Sequence, residues 1–245
     1  MSHALNPLLD EILHHTHRDP HRTTSSLSDL ILGAQDGLVN VLGVILGIAA
    51  ATDDVRIVLV AGLATTFAES ISMGAVAFTT TVAEADLYQS EREREYRHIK
   101  EIPALEKKEV RDIYQTKGFK GDLLNRIVET VTANKDVWVA LMMAEEHQLA
   151  PVDRSQAFKA AWIVGVSAVI GSLVPLAPFL FLPIGTSMWA SVIVTAAVLF
   201  AIGLYKARVT SGHPARSGLE MALIGTLSAM AGYLVGVILK VTPTP

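Results

Sequence analysis

Long apolar segments alternate with polar ones along this chain of 245 residues, and the longest exceeds what the core of a soluble domain contains. Residues 160–205 are 46 consecutive positions without Asp, Glu, Lys, Arg or His. A helix needs about 20 apolar residues to cross a bilayer, so this segment predicts two membrane spans. The turn signal at residues 183–187, which contains a proline and a glycine, is expected to separate them. The pattern is typical of an integral membrane protein.

Five apolar segments are long enough to cross a membrane: residues 30–52, 57–83, 160–182, 188–205 and 221–239. An odd number of spans predicts that the two chain ends lie on opposite sides. In that arrangement 18 of the 20 Lys and Arg residues lie on the side of the N-terminus. The positive-inside rule therefore predicts a cytoplasmic N-terminus and an external or lumenal C-terminus. The first 29 residues lack an apolar h-region, so no cleavable signal peptide is expected.

A charge-rich segment separates the second span from the third. Residues 84–159 carry 28 of the 44 charged side chains. Pro103, Gly118, Asn134 and Pro151 are expected to divide it into short helices that follow a continuation of the second span. Short helices are marginal alone and must bury their apolar faces against one another. We therefore predict an all-α fold, a polytopic membrane protein with five transmembrane helices and a cytoplasmic helical insert.

The expected domain organisation follows from these segments. Residues 1–29 form a polar, His-rich tail, and residues 30–83 form the first two spans. Residues 84–156 form the insert, and residues 157–240 form the last three spans. The chain has no Cys, which excludes thiolate metal sites and disulfides. Its net charge of −4 is small and mixed, so no nucleic-acid partner is expected, whereas membrane lipid is.

Glycines recur four residues apart within three of the spans. This spacing predicts close helix approach or dimerisation in the membrane, although glycine is also simply frequent in membrane helices. The pairs are Gly33 with Gly37, Gly43 with Gly47, and Gly232 with Gly236.

Two carboxylates lie inside predicted spans, Asp36 in the first and Glu69 in the second. A charged side chain at the bilayer centre costs at least about 2.5 kcal/mol, so such residues need a functional or pairing reason. The spans contain no Lys, Arg or His, so the partner of each carboxylate is expected to be a metal cation, a proton or a second acid. Met73 lies one turn from Glu69, and an oxygen and a thioether together suit a borderline divalent transition metal. The alternative is a protonated, structural Glu69 with Met73 as packing.

The insert carries further side chains that could bind metal, in pairs spaced three or four apart so that each pair shares a helix face. Charge-rich helices also produce such pairs by chance, and any single pair is more often a solvated face. The candidates are Glu95, His98, Glu106, Glu109, Met142, Met143 and Glu146. Five further histidines precede the first span, where a flexible polar tail is the expected interpretation and metal delivery the alternative. They are His3, His14, His15, His17 and His21.

The order of these features resembles the vacuolar iron transporter family over residues 27–239. The resemblance rests on Asp36-Gly37 in the first span, Glu-Ser-Ile-Ser-Met at 69–73 in the second, the acidic helical insert, and Trp-Val-x-x-Met-Met-x-x-Glu at 138–146 before three further spans. It implies a homodimer of five-span protomers whose first spans line a pathway between them. It also implies transport of Fe(II), and often Mn(II), out of the cytosol in exchange for protons, and a cytoplasmic domain that binds several metal ions.

The resemblance assigns roles to individual positions. It implies that Asp36, Glu69 and Met73 line the membrane pathway. Five residues of the insert match the family's metal-binding domain: Glu95, Glu106, Glu109, Met142 and Glu146. Two positions depart from the pattern, since His98 stands where a family Glu is expected and Met143 where some members have Glu. Histidine is an acceptable ligand for Fe(II), but fewer acids neutralise less positive charge.

The leading interpretation is a metal/proton antiporter that exports Fe(II), and also Mn(II), rather than an enzyme. Glu, His and Met accept several ions, so Zn(II), Co(II) and Ni(II) remain candidates at the insert, and no organic cofactor is expected. One alternative is a membrane-anchored, ferritin-like di-iron oxidase, because Glu95-x-x-His98 has the spacing such sites use. Another is a non-transporting metal sensor, which would leave Asp36 and Glu69 unexplained.

Overall fold

A computed structural model describes residues 24–210 and 212–240, and every regular element within them is helical. Five of these helices, as expected, are long and apolar enough to cross a membrane, which confirms the predicted fold class. In chain order the α-helices are α1 (Thr24–Ala51), α2 (Val55–Glu101), α3 (Pro103–Thr116), α4 (Gly121–Thr132), α5 (Lys135–Glu145), α6 (Ala157–Leu176), α7 (Ile184–Val209) and α8 (Pro214–Ile238). The candidate spans are α1, α2, α6, α7 and α8.

The chain divides into two compact units. The membrane unit comprises the described residues up to Ala77 together with those from Lys159 onwards. The polar unit is Phe78–Phe158. Helix α2 contributes residues to both units.

Helix α1 is the centre of the membrane unit. Its apolar side chains Leu38, Leu42 and Ile45 are almost completely buried. They belong to three apolar clusters in which residues of α2, α6, α7 and α8 also take part. Large apolar side chains elsewhere in the unit face outwards, among them Ile71 and Trp189. Such an exposed apolar surface is what contact with lipid tails requires.

Glycines allow α1 to approach its neighbours closely. Gly43 and Gly47 of α1 face Gly232 and Gly236 of α8, and a Cβ added at Gly47 would lie 2.8 Å from the carbonyl oxygen of Gly232. A Cβ at Gly37 would similarly lie 2.7 Å from the hydroxyl oxygen of Ser172 on α6. The glycine spacing read from the sequence thus falls at helix contacts within one chain, where any side chain would force the backbones apart.

The third span differs from the predicted segment 160–182. Helix α6 ends at Leu176 and continues as a 3-10 turn, Ala177–Leu180. The cause is local, because Pro178 has no N–H to donate to the carbonyl of Val174, four residues earlier, and the α-helical ladder ends there. The hydroxyl of Ser191 on α7 donates to the neighbouring carbonyl of Pro175 at 2.7 Å. A carbonyl at the end of α6 therefore has its hydrogen-bond partner in the next span.

The turn between the third and fourth spans is shorter than residues 183–187. Helix α7 begins at Ile184 rather than at residue 188, with Pro183 immediately before it. The hydroxyl of Ser187 donates to the carbonyl of Leu182 at 2.9 Å, which ties the first turn of α7 to the preceding segment. Most of the predicted turn is thus the start of a helix.

The polar unit is built from the last part of α2 together with α3, α4 and α5. Pro103 occupies the first turn of α3, and only Ile102 separates the two helices. Asn134 caps α5 by accepting a hydrogen bond from the backbone N–H of Asp136 at 2.9 Å. Eight buried side chains hold these helices together: Ile99, Val110, Leu124, Val128, Trp138, Val139, Met142 and Met143.

Candidate metal centre

The turn between α2 and α3 brings three predicted ligands of the polar unit together. Glu95 and His98 lie one turn apart near the end of α2, and Glu106 lies in the first turn of α3. Because Ile102 alone separates the helices, the chain reverses within a few residues and the two helix faces meet. One potential ligand atom from each of these three residues lies within 4.8 Å of the other two.

The distances suit a divalent cation. His98 Nδ1 lies 3.3 Å from Glu106 Oε1 and 3.9 Å from Glu95 Oε1. Two ligands bonded to one ion at about 2.1 Å lie roughly 3.0–3.5 Å apart, so only small side-chain shifts would be needed. Glu95, His98 and Glu106, which we term the cluster, could therefore coordinate one ion together.

Both carboxylates of the cluster are buried with unused hydrogen-bonding capacity. Glu95 and Glu106 are each only 2% exposed. Oε1 of each faces His98, whereas Oε2 of each is buried without a hydrogen-bond partner. A buried carboxylate is costly unless a cation, a donor or a proton compensates it. A bound metal ion would satisfy both groups at once.

The pKa values around the cluster also indicate that its carboxylates lack a compensating positive charge. Burial raises the pKa of Glu106 to about 7, and the neighbouring charges of Glu95, Glu109 and Glu146 contribute to this rise. Burial also raises the pKa of Glu146, again together with Glu109. Each added acid makes its neighbours harder to ionise, which a divalent cation would reverse.

The remaining predicted ligands of the polar unit lie in two settings. Glu109 is half-buried and interacts with Glu106, and Glu146 directly follows α5, where it is exposed. Met142 and Met143 are almost completely buried in the apolar core of the unit. Metal binding by their sulfur atoms stays a prediction.

His147 also contacts the cluster, and the sequence pattern did not single it out. Its Nε2 atom lies 2.9 Å from Glu95 Oε1. Burial lowers the pKa of His147, but the hydrogen bond to Glu95 and the charges of Glu95, Glu146 and Glu91 raise it more, so the net shift is upward. The only sequence signal was its position directly after the candidate Glu146.

We expect the metal affinity of the polar unit to rise as the pH rises through about 7. Below this pH, Glu106 holds a proton that an incoming ion must displace, because its pKa is about 7. For each proton that the ion must displace, the apparent metal affinity falls about tenfold for every pH unit below this pKa. Calorimetric Zn(II) titrations between pH 5.5 and 8, in buffers of different ionisation enthalpy, would count the protons. Glu106→Gln should bind more weakly and, at pH 5.5, release one proton fewer per ion than the unsubstituted protein. An unchanged proton count at pH 5.5 would contradict the assignment.

In the membrane unit the amide of Asn40 links the two carboxylates that lie within predicted spans, Asp36 and Glu69. The Nδ2 atom of Asn40 donates to Asp36 Oδ1 at 3.1 Å, one turn away on α1, and also to Glu69 Oε1 on α2. Glu69 Oε2 is buried without a hydrogen-bond partner. Met73 is half-buried one turn along α2 from Glu69. The unit thus holds two acids on neighbouring helices, one of them with a buried oxygen that has no hydrogen-bond partner.

Asn40 is the second residue that the sequence reasoning did not place in a site. Its spacing of four from Asp36 puts both side chains on one face of α1. The bridge to Glu69 depends on the packing of α1 against α2, which no spacing within one helix reveals. The five N-terminal histidines, His3 to His21, lie outside the described residues.

The described part of the chain is helical and has five candidate spans, which defines a polytopic membrane protein. Its polar unit contains a carboxylate–imidazole cluster that could hold a metal ion. Comparison with known proteins gives the family. A model of the VIT family matches residues 27–237, and the chain therefore belongs to this family.

The chain is similar along most of its length to proteins named vacuolar iron transporter. It is 34% identical to Vacuolar iron transporter 1 of Oryza sativa subsp. japonica over 222 residues, which cover 90% of this chain and 88% of the relative. It is 31% identical to Vacuolar iron transporter 1 of Arabidopsis thaliana, with 94% and 92% covered. It is 30% identical to the Vacuolar iron transporter of Plasmodium falciparum (isolate 3D7), with 88% and 82% covered.

Proposed function

We propose that this protein transports Fe(II), and also Mn(II), across a membrane in exchange for protons. The observation that carries the proposal is the arrangement of Asp36, Asn40 and Glu69 within the membrane unit. These two acids lie in spans without any basic residue, so a cation or a proton must compensate their charge. The names of the relatives, which are vacuolar iron transporters, support iron as the cargo.

The two metal regions would act in sequence. The cluster of the polar unit collects ions from the cytosol, since its buried, unpartnered carboxylate oxygens attract divalent cations. Asp36 then receives the ion near the entrance of the pathway, and Glu69 and Met73 hold it within the membrane. The carboxylate supplies the charge that offsets the loss of water from the ion, and the thioether favours softer ions.

Proton coupling follows from competition at the same oxygens. A carboxylate of Asp36 or Glu69 that takes up a proton from the acidic side loses affinity for the metal ion, which is then released. Loss of the proton to the cytosol restores the site. This exchange moves metal outwards while protons move inwards, so a pH gradient supplies the driving force.

The proposal includes an orientation and an assembly. We propose a cytoplasmic N-terminus and polar unit and an external or lumenal C-terminus, which the excess of Lys and Arg on one side supports. A homodimer with the pathway on its two-fold axis would double each ligand set, giving two Asp36 and two Glu69 around one route. Lipid would cover the outward-facing apolar surface of the spans.

The oxidase alternative finds less support in the polar unit. A ferritin-like di-iron site needs two Glu-x-x-His motifs and two further Glu on four long helices. Helices α3, α4 and α5 have only 14, 12 and 11 residues. The sensor alternative gives no role to the acids of the membrane unit.

Ion uptake by proteoliposomes tests the proposal. We expect vesicles that contain the protein to take up Fe(II), and Mn(II) more slowly or equally, well above protein-free vesicles. An acidic interior should raise the initial rate several-fold, because protons leaving the vesicle drive ions in. Uptake no faster than in protein-free vesicles would exclude transport. A rate that does not respond to the pH gradient would exclude proton coupling, and oxygen consumption on adding Fe(II) would favour the oxidase.

A further inference from the structure

We infer that His147 is a fourth metal ligand of the cluster and supplies a second imidazole that sets its ion preference. The inference rests on the proposed collecting role of the polar unit and deepens it. Its chemical content is a mixed site, with nitrogen from His98 and His147 and oxygen from Glu95 and Glu106. Such a site favours borderline divalent ions over hard ones.

Two imidazoles approach one carboxylate oxygen from different elements. Glu95 Oε1 lies 2.9 Å from His147 Nε2 and 3.9 Å from His98 Nδ1. Cis ligands of an octahedral ion with bonds of about 2.1 Å lie roughly 3.0 Å apart, which matches the contact between Glu95 and His147. His147 is not among the three residues whose ligand atoms all lie within 4.8 Å of one another, so a side-chain shift about Glu95 would bring its imidazole to an ion held by Glu95 and His98.

The backbone fixes His147 in this position. Its N–H donates to the carbonyl of Met142 at 3.2 Å, and the N–H of Leu149 donates to the carbonyl of Met143 at 2.9 Å. Between them Gln148 adopts a positive φ of 54°, a left-handed conformation that is unfavourable for a residue with a side chain. The turn after α5 thus directs the imidazole back towards α2, where Glu95 lies.

The surroundings favour a ligand over a surface histidine. The side chain of His147 is 22% exposed and that of Glu95 only 3%, so their contact is largely screened from water. The second oxygens of Glu95 and Glu106 remain buried without partners even with both histidines in place. One hydrogen bond from His147 does not satisfy this site, whereas a cation bound to all four side chains would.

The second imidazole has a consequence for selectivity. Imidazole nitrogen suits Fe(II), Co(II), Ni(II) and Zn(II), whereas Mn(II) and Mg(II) prefer sites of oxygen ligands. Removing one of two nitrogens should therefore weaken Zn(II) binding much more than Mn(II) binding. A residue that only orients Glu95 would weaken both ions alike. The ratio of the two affinities separates these roles.

The test uses the full-length protein in detergent, with competition titrations of Zn(II) and Mn(II). The five N-terminal histidines are replaced by Gln in every sample so that they contribute no imidazole. We expect His147→Gln to lower the Zn(II) affinity about 10- to 100-fold and the Mn(II) affinity less than about threefold. His213→Gln serves as the matched control, because His213 is exposed in the membrane unit. Equal losses for both ions, or no loss, would overturn the inference.

Two further measurements test whether His147 binds the ion directly. Co(II)-loaded protein should give two hyperfine-shifted, exchangeable imidazole N–H proton signals, and His147→Gln should lose one of them. His147→Glu, which keeps a ligand at the position, should shift the preference towards Mn(II) relative to the unsubstituted protein. It also replaces His147→Gln as the test variant if the latter does not fold. An unchanged Co(II) spectrum in His147→Gln, or an unchanged preference in His147→Glu, would count against a ligand role.

These equilibrium measurements are independent of transport. A protein that binds Co(II) through two imidazoles but moves no ion into vesicles would refute the proposed function and leave His147 as a ligand. Conversely, active transport together with an unchanged Zn(II)-to-Mn(II) ratio in His147→Gln would refute the ligand role and leave the proposed function intact.

Discussion

Replacing Glu69 with Gln should lower metal flux into proteoliposomes by about 100-fold while metal binding by the cluster stays intact. Gln keeps the size of the side chain and can still accept a hydrogen bond from Asn40. It removes the charge that compensates a divalent ion in the membrane. Losing a charge partner in a low-dielectric site costs about 3 kcal/mol, which corresponds to two powers of ten in rate. Binding at Glu95, His98 and Glu106 uses none of the atoms that change.

Flux should be measured in sealed vesicles, and binding by titration of the same protein in detergent. Glu101→Gln is the matched control, since it makes the same substitution on the same helix at an exposed position. It should leave flux unchanged. Normal transport by Glu69→Gln would remove this carboxylate from the pathway. Loss of binding together with loss of flux would indicate a folding defect instead of a transport defect.

Replacing both Glu106 and Glu109 with Ala should remove most metal binding by the cluster but slow transport only at low metal concentration. The double variant deletes a buried ligand and the acid that interacts with it. We expect the affinity of the cluster to fall at least about 100-fold, because a lost ligand charge costs roughly 3 kcal/mol. A collecting site raises the local supply of ions, so its loss matters least when metal saturates the membrane site.

The measurement is the dependence of initial flux on metal concentration, together with binding in detergent. Glu93→Ala combined with Glu101→Ala is the control. Both side chains are exposed on the polar unit, and replacing them removes the same amount of charge as the Glu106/Glu109 variant. It separates ligand loss from a general loss of negative charge. A folded Glu106/Glu109 variant that stays inactive at saturating metal would show that the cluster belongs to the conduction pathway itself.

The sequence predicts the spans well because hydrophobicity over 20 residues is a strong, local signal. It predicts their ends less well. Helix α6 stops at Leu176 and α7 starts at Ile184, where prolines and the contacts of Ser187 and Ser191 decide the backbone. A window of hydropathy does not contain those contacts, since they join residues of different helices.

The metal site is predictable only as far as one helix determines it. The pairs Glu95 with His98 and Glu106 with Glu109 follow from spacing along a helix, and the structure brings Glu95, His98 and Glu106 together. Spacing did not reveal His147 or Asn40, because their contacts join separate elements: the turn after α5 with α2, and α1 with α2. Spacing also could not tell that Met142 and Met143 lie in the apolar core.

The hydrogen bond from Ser191 to the carbonyl of Pro175 bears on how the chain enters the bilayer during synthesis. A lone third span would carry the unpaired carbonyls at the end of α6 into hydrocarbon, where each unsatisfied polar group costs several kcal/mol. The fourth span supplies a hydroxyl that bonds one of them, the carbonyl of Pro175. Residues 160–205 are therefore expected to leave the translocon as a paired helical hairpin, so that nascent chains truncated before Ser191 insert less efficiently than chains that include it.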